Sequence, residues 1–195
     1  MEAATSRRDT ATSALLDAAE RLLIETGYAG LTTRGVAAEA GVNHGLVHYY
    51  FGSMEELLLQ VLERFTERLV ERQTAMYEAD APFLEKWRTA MRWLEEDVDS
   101  GYPKVWGELQ ALAWHHPEMQ ERLVQVDGIW RSLLRTYFAR ALDEYGIDFP
   151  VEATVSLVMA FNRGIQMEQL SGVTEGHREL LAWIDAWLEE KAASR

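Results

Sequence analysis

Residues 31–57 read LTTRGVAAEAGVNHGLVHYYFGSMEEL. Thr32 is a good N-cap, its hydroxyl able to take an orphan helix N–H, and the turns after it carry Val36, Ala37 and Ala40. Gly41 and Val42 interrupt that helix, and Asn43 is placed to cap a second short one holding Val47 and Tyr50. Two helices of about two turns, joined by a Gly-centred turn of three or four residues, make a helix-turn-helix. The register carries the signal. Ala37 must be small where the second helix crosses, Gly41 supplies a positive φ, and Val36, Val42 and Val47 close the core beneath.

Outward from this stretch the chain reads as helix throughout, with no sustained apolar/polar alternation of a strand. Leu15, Ala19, Leu22 and Leu23 predict a helix over about 10–26, closed by Gly27. Met54, Leu57, Leu58, Val61, Leu62, Phe65 and Leu69 form an i, i+3, i+4, i+7 stripe that predicts a long helix over 54–78. Ser53-Met54-Glu55-Glu56 reads as its capping box. Pro82, Pro103, Pro117 and Pro150 stand before or at the start of apolar-periodic runs, where a missing N–H costs little. Further helices follow over about 82–100, 103–114, 117–145, 150–171 and 176–191. The expectation is an all-α chain of nine helices. Its division falls into a helix-turn-helix bundle over 1–52 and a larger helical domain over 53–195.

Composition excludes several functions. There is no cysteine, so disulfides, thiolate nucleophiles and sulfur-ligated metals are absent. No run approaches the 18 or so apolar residues of a membrane span, and MEAATSRRDTATS lacks the apolar core of a signal peptide, which points to the cytoplasm and to no membrane partner. The net charge of −13 weighs against phosphate binding, but residues 1–54 carry only −2 of it, four Arg against six acids. His44 and His48 are four apart and could share a helix face, yet a stable zinc site needs about four ligands, so no metal site and no cofactor are expected. They could also be merely solvated. His115 and His116, adjacent and therefore on different faces, read as a helix-end pair beside Pro117.

Over residues 10–58 the chain resembles the TetR family of bacterial transcriptional regulators. TTRGVAAEAGV carries the resemblance, with G-x-V-x-x-Y-F after it and S-x-E-E-L opening the next helix. His48 stands where the family most often has Tyr, and Gly52 and Met54 stand where it commonly has a Lys that supports phosphate contact. Residues 59–195 match only in general layout. A recognition helix over about His44–Tyr50 would enter the major groove. Asn43, His44, Gly45 and Leu46 would face base edges, and His48 and Tyr49 would reach bases or phosphates. Thr33 and Arg34 look like phosphate anchors, Arg34 also within reach of a base. Tyr50 could contact DNA or pack; Phe51 reads as packing.

All seven tryptophans lie in residues 79–195. They can be core, or they can line a mostly apolar cavity of the kind a small ligand needs. The resemblance implies such an effector site. Its candidate lining is Trp87, Met91, Trp106, Leu109, Phe138, Met159, Asn162 and Gln166. Asn162 and Gln166 could orient a ligand or bond another helix or subunit. Helix 150–171 is apolar on more than one side, and Gly164 in its middle would make sense against a closely approaching helix backbone. Val155, Met159 and Gly164, with Leu180, Ile184, Trp187 and Leu188 of the last helix, could form a two-fold four-helix interface, which the resemblance also implies.

The function expected is a homodimeric regulator, a repressor released from a palindromic operator on double-stranded DNA by a small, largely apolar effector. An effector-independent or architectural DNA-binding protein working with a protein partner is the alternative. An enzyme using the C-terminal cavity is the remote one. With no Cys, Gly-rich phosphate loop or nucleophile elbow, no catalytic site is expected.

Overall fold

The computed structural model describes residues 2–194, with side chains from Arg8 onward. Met1, Arg195 and the side chains of residues 2–7, Arg7 of the charge count among them, lie outside the described residues. Among the described residues the order is α1 (Glu2–Thr26), a 3-10 turn (Tyr28–Gly30), α2 (Thr33–Glu39), α3 (Gly45–Phe51), α4 (Met54–Glu78), α5 (Phe83–Asp99), α6 (Tyr102–Ala113), α7 (Pro117–Glu144), α8 (Val151–Leu170) and α9 (His177–Ala193), with no strand. The periodic stripes and their punctuation place α4 to the residue and α5–α9 to within one or two. The first helix starts eight residues before the expected position, because nothing between Glu2 and Thr26 breaks a helix: the segment holds neither Gly nor Pro. No helix of the described residues is long and apolar enough to cross a membrane.

The chain separates into two compact units, Met1–Thr66 with Lys104–Val124, and Glu67–Pro103 with Gln125–Arg195. The core of the first is Leu15, Ala18 and Ala19 of α1, Val36 and Ala37 of α2, Val47 and Phe51 of α3, and Leu57 and Val61 of α4. Ala37 is 1% exposed, which is the crowding its small side chain foretold. Gly41 adopts φ +67°, and a β-carbon there would meet nothing within 4 Å, so the backbone conformation alone requires glycine. Gly41→Ala is therefore expected to destabilise the protein by about 1 kcal/mol through the left-handed conformation alone, with no clash. Urea unfolding measures this; a loss well above that figure would mean the turn is held by contacts instead.

The first unit is also tied by ion pairs. Arg21 reaches Glu39 at 3.0 Å, joining α1 to α2. Arg64 of α4 reaches Asp17 at 2.8 Å and Glu20 at 2.9 Å on α1. Arg122 of α7 bonds Glu63 through Nε at 3.0 Å and approaches Glu56 at 3.3 Å.

In the second unit the core is aromatic: Tyr77, Phe83, Trp87, Phe138 and Tyr145 pack with Leu133, Leu134, Val155, Met159 and Leu188. Phe83 stands edge-on to both Phe138 and Tyr145. The Tyr145 hydroxyl accepts the Leu84 N–H, one of the donors that open α5 and that Pro82 leaves without a side-chain cap. Arg88 clamps Asp185 with two 2.8 Å bonds, holding α9 to α5 and drawing the Asp185 carboxyl below its usual range.

Candidate nucleic-acid interface

The geometry of the helix-turn-helix follows from two caps. Thr32 Oγ1 accepts the Gly35 N–H at 3.0 Å and starts α2. Asn43 Oδ1 accepts the Gly45 N–H at 2.9 Å and its carbonyl accepts the Leu46 N–H, which together turn the chain into α3. One lone pair of the Asn43 oxygen is thus used in the turn, and its NH2 remains able to donate to a partner. Val42 N–H closes the bend on the Ala37 carbonyl at 2.9 Å.

Helix α3 then divides its residues by side. Val47 and Phe51 are buried at 1% and 5%, while Asn43, His44, Gly45 and His48 are exposed, and Tyr49 is 77% exposed. Thr33 and Arg34 are exposed at the start of α2. Leu46 and Tyr50 are half-buried and pack against the first unit's core. Tyr50 therefore belongs mainly to packing: its ring meets Tyr49 edge-on at 5.1 Å and carries the Arg8 guanidinium 5.9 Å from its centroid. No cluster of three or more His, Asp or Glu able to hold a metal occurs among the described residues.

The start of α4 differs from the expected reciprocal cap. Ser53 Oγ accepts the Glu56 N–H at 3.1 Å, but the Glu56 carboxylate is taken by Gln60 and Arg122 instead of returning to Ser53. Glu55 sits at the helix N-terminus, where its own backbone N–H, the Ser53 hydroxyl, Tyr28 and the charge of His116 hold its carboxyl below the usual range against some desolvation. Two acids, Glu55 and Glu56, thus follow directly on Gly52 and Met54.

The expected lining residues do not share one unit. Trp106 and Leu109 belong to the first, and Trp87, Met91, Phe138, Met159, Asn162 and Gln166 to the second. Trp87, Phe138 and Met159 are packed in the second unit's core with Met91 against it. Asn162 Oδ1 is buried without a hydrogen-bond partner, so that oxygen makes no interhelical bond in this chain. A shallow depression at the α7–α8 turn is lined by Leu142, Ile147, Phe149 and neighbours, none of them expected lining residues.

The expected interface residues need correction. Val155, Met159 and Leu188 are 0%, 7% and 5% exposed and face inward, while Ile184 and Trp187 are half-buried against the same core. Gly164 is exposed, and a β-carbon added to it would meet nothing within 4 Å, so no helix of this chain approaches it closely. The outward face is only partly the expected one. Leu157 (62%), Gly164 and Met167 lie along the exposed side of α8, and Leu180 and Trp183 (65%) along that of α9. The sequence does carry a signal for it: 157, 160, 164 and 167 repeat at helical spacing on the side opposite Val155 and Met159.

Residues 15–61 match the family model for bacterial regulatory proteins of the tetR family. The chain is 36% identical over 75 residues to the HTH-type transcriptional repressor Rv3405c of Mycobacterium tuberculosis, 38% of each chain. It is 45% identical over 49 residues to the HTH-type transcriptional regulator BetI of Agrobacterium fabrum, 25% of this chain and 24% of that one. The aligned stretch thus spans little more than a third of the curated relatives' length. In fold, a TetR-family regulator from Rhodococcus sp. superposes with a TM-score of 0.74 at 22% identity, covering 91% of this chain and 98% of that one. A transcriptional regulator from Saccharomonospora viridis, in complex with choline, superposes with 0.73 at 21% identity over 88% and 93%. Residues 15–61 thus carry a helix-turn-helix domain of the tetR type, and the all-α fold is the one that solved TetR-family regulators share.

Proposed function

We propose that the protein is a DNA-binding transcriptional regulator: a homodimeric repressor that leaves a palindromic operator when a small, largely apolar effector binds. The observation that carries the reading is the two-sidedness of α3 and the turn that opens it: Val47 and Phe51 are buried while Asn43, His44, His48 and Tyr49 are exposed. One head cannot select a site in a genome. Two heads about 34–36 Å apart read half-sites one helical turn apart, which sets the approximate palindrome. The reading surface lies in residues 1–52, and sensing and pairing are assigned to 53–195, of which 53–66 and Lys104–Val124 pack with the first unit. Exposed Leu157, Met167, Leu180 and Trp183 support pairing through α8 and α9, since apolar side chains of this size gain by being covered.

The unpartnered Asn162 oxygen supports a ligand that offers a hydrogen-bond donor. The choline held by the Saccharomonospora viridis protein supports a small-molecule site in this fold. Helix α4, which contributes residues to both units as α6 and α7 also do, is one covalent link between sensing and reading. A hundredfold preference of the effector for the released state would supply about 2.7 kcal/mol. The effector-independent reading draws on the packed core around Trp87, Phe138 and Met159; effector addition that leaves operator affinity unchanged would favour it.

The reading is tested by selecting bound sequences from random duplex DNA at fixed salt with the unmodified, Arg34→Ala and Tyr49→Ala proteins. Arg34→Ala is expected to weaken binding about tenfold for all sequences alike, as loss of a phosphate contact does. Tyr49→Ala is expected to change base preference, with about 1–3 kcal/mol of discrimination lost at the position read. An unmodified protein that enriches no sequence would refute the reading. Identical profiles from both variants would refute the roles given to the two residues.

A further inference from the structure

The first unit is short of usable positive charge. Arg21, Arg64 and Arg122 are each engaged by carboxylates, and acids occupy the N-terminus of α4. Among its described residues, Arg8, Arg34 and Lys104 have no carboxylate partner. Arg34 opens α2 beside the reader and is the phosphate anchor proposed above. Arg8 comes from α1, far from the helix-turn-helix in sequence, yet its guanidinium lies over the ring of Tyr50, the neighbour of outward-facing Tyr49 on α3.

We propose that Arg8 is a phosphate-binding residue of the reader, held against α3 by the face of Tyr50. This rests on the DNA-binding reading above. A guanidinium over a tyrosine face is attracted by the ring quadrupole while its N–H groups, which lie in the guanidinium plane, stay free to donate. Planar N–H forks suit phosphate oxygens. Tyr50 is then a positioning residue. Half-buried in the first unit's core, it can hold the arginine side chain near one place and so reduce the entropy lost when a phosphate is bound. The arrangement supplies from the first helix the cation that the start of α4 lacks.

The test is the affinity of the full-length protein for a selected duplex across a salt series, using Arg8→Ala, Arg8→Lys and Tyr50→Phe. Arg8→Ala is expected to bind about tenfold more weakly near physiological salt, and the slope of log affinity against log salt is expected to become shallower by about 0.9 per head. Base preference should not move. Arg8→Lys should restore the slope but not all of the affinity, and Tyr50→Phe, which keeps the ring, should behave as the unmodified protein. A slope unchanged in Arg8→Ala overturns the proposal, because a residue that serves only the fold changes affinity without releasing fewer counterions. A shifted base preference overturns the phosphate assignment in favour of groove reading. If the unmodified protein binds no duplex, the DNA-binding reading itself fails; if it binds and Arg8→Ala matches it at every salt concentration, only this proposal fails.

Discussion

Leu157→Asp combined with Trp183→Asp is expected to break the proposed dimer, leaving a folded monomer, and to abolish binding to a two-half-site operator. Both side chains are more than half exposed, so an added carboxylate leaves the subunit's own core untouched and circular dichroism should be unchanged. Covered by a second copy, each introduced aspartate would place a desolvated carboxylate in the apolar interface. Large anchors at the centre of an interface are each worth about 2 kcal/mol or more, so the pair should raise the dimer dissociation constant by about a thousandfold. Sedimentation at micromolar concentration measures it. A variant that stays dimeric would move the pairing surface away from the exposed sides of α8 and α9. Val155→Ala, by contrast, should lower subunit stability and leave assembly alone, because Val155 is completely buried.

Arg72→Ala is expected to cost about 2 kcal/mol of folding stability, more than its partial exposure suggests. Arg72 of α4 reaches both carboxylate oxygens of Asp97, at 2.9 and 2.6 Å, and lies 4.4 Å from the centroid of the Trp93 ring. Burial raises the Asp97 carboxyl above its ordinary value, and Arg72 opposes that rise only in part. Without the guanidinium the carboxyl rises further. An acid that binds its proton more tightly folded than unfolded gains stability as pH falls through the folded value. The deficit of Arg72→Ala should therefore be largest near neutral pH and shrink as the solution is acidified through the raised carboxyl value, whereas Asp97→Asn should be mild at every pH. Urea unfolding on either side of that value decides it. A deficit that does not change with pH would assign the loss to the Trp93 contact.

The helices were legible because their signals are local. Thr32, Gly41 and Asn43 each act within four residues, and the structure uses all three as the sequence suggested. The outward placement of Tyr49 followed from the same register, whereas His44 and His48 share the i, i+3, i+4, i+7 spacing of Val47 and Phe51, and only the tertiary packing leaves them exposed. What periodicity could not do was choose between two apolar sides of one helix. Helix α8 is apolar around Val155 and Met159 and again around Leu157 and Met167, and periodicity gives both stripes equal standing. Only the tertiary partners of α8 say which is core. Arg8 was invisible for a related reason: its partner, Tyr50, lies forty-two positions later, and no spacing rule joins them.

Gly27, at φ +69°, has a further consequence. A β-carbon there would stand 2.9 Å from Glu108 Oε1, so α6 lies directly against the turn that ends α1. Together with the Arg122 bonds to Glu56 and Glu63, this makes the reader a discontinuous object whose second strip of chain comes from Lys104–Val124. A fragment cut after residue 52 would leave Leu57 and Val61 behind and forfeit that strip. Anyone grafting this reading head onto another sensor would need to carry both pieces, or the transplanted head would arrive without part of its own floor.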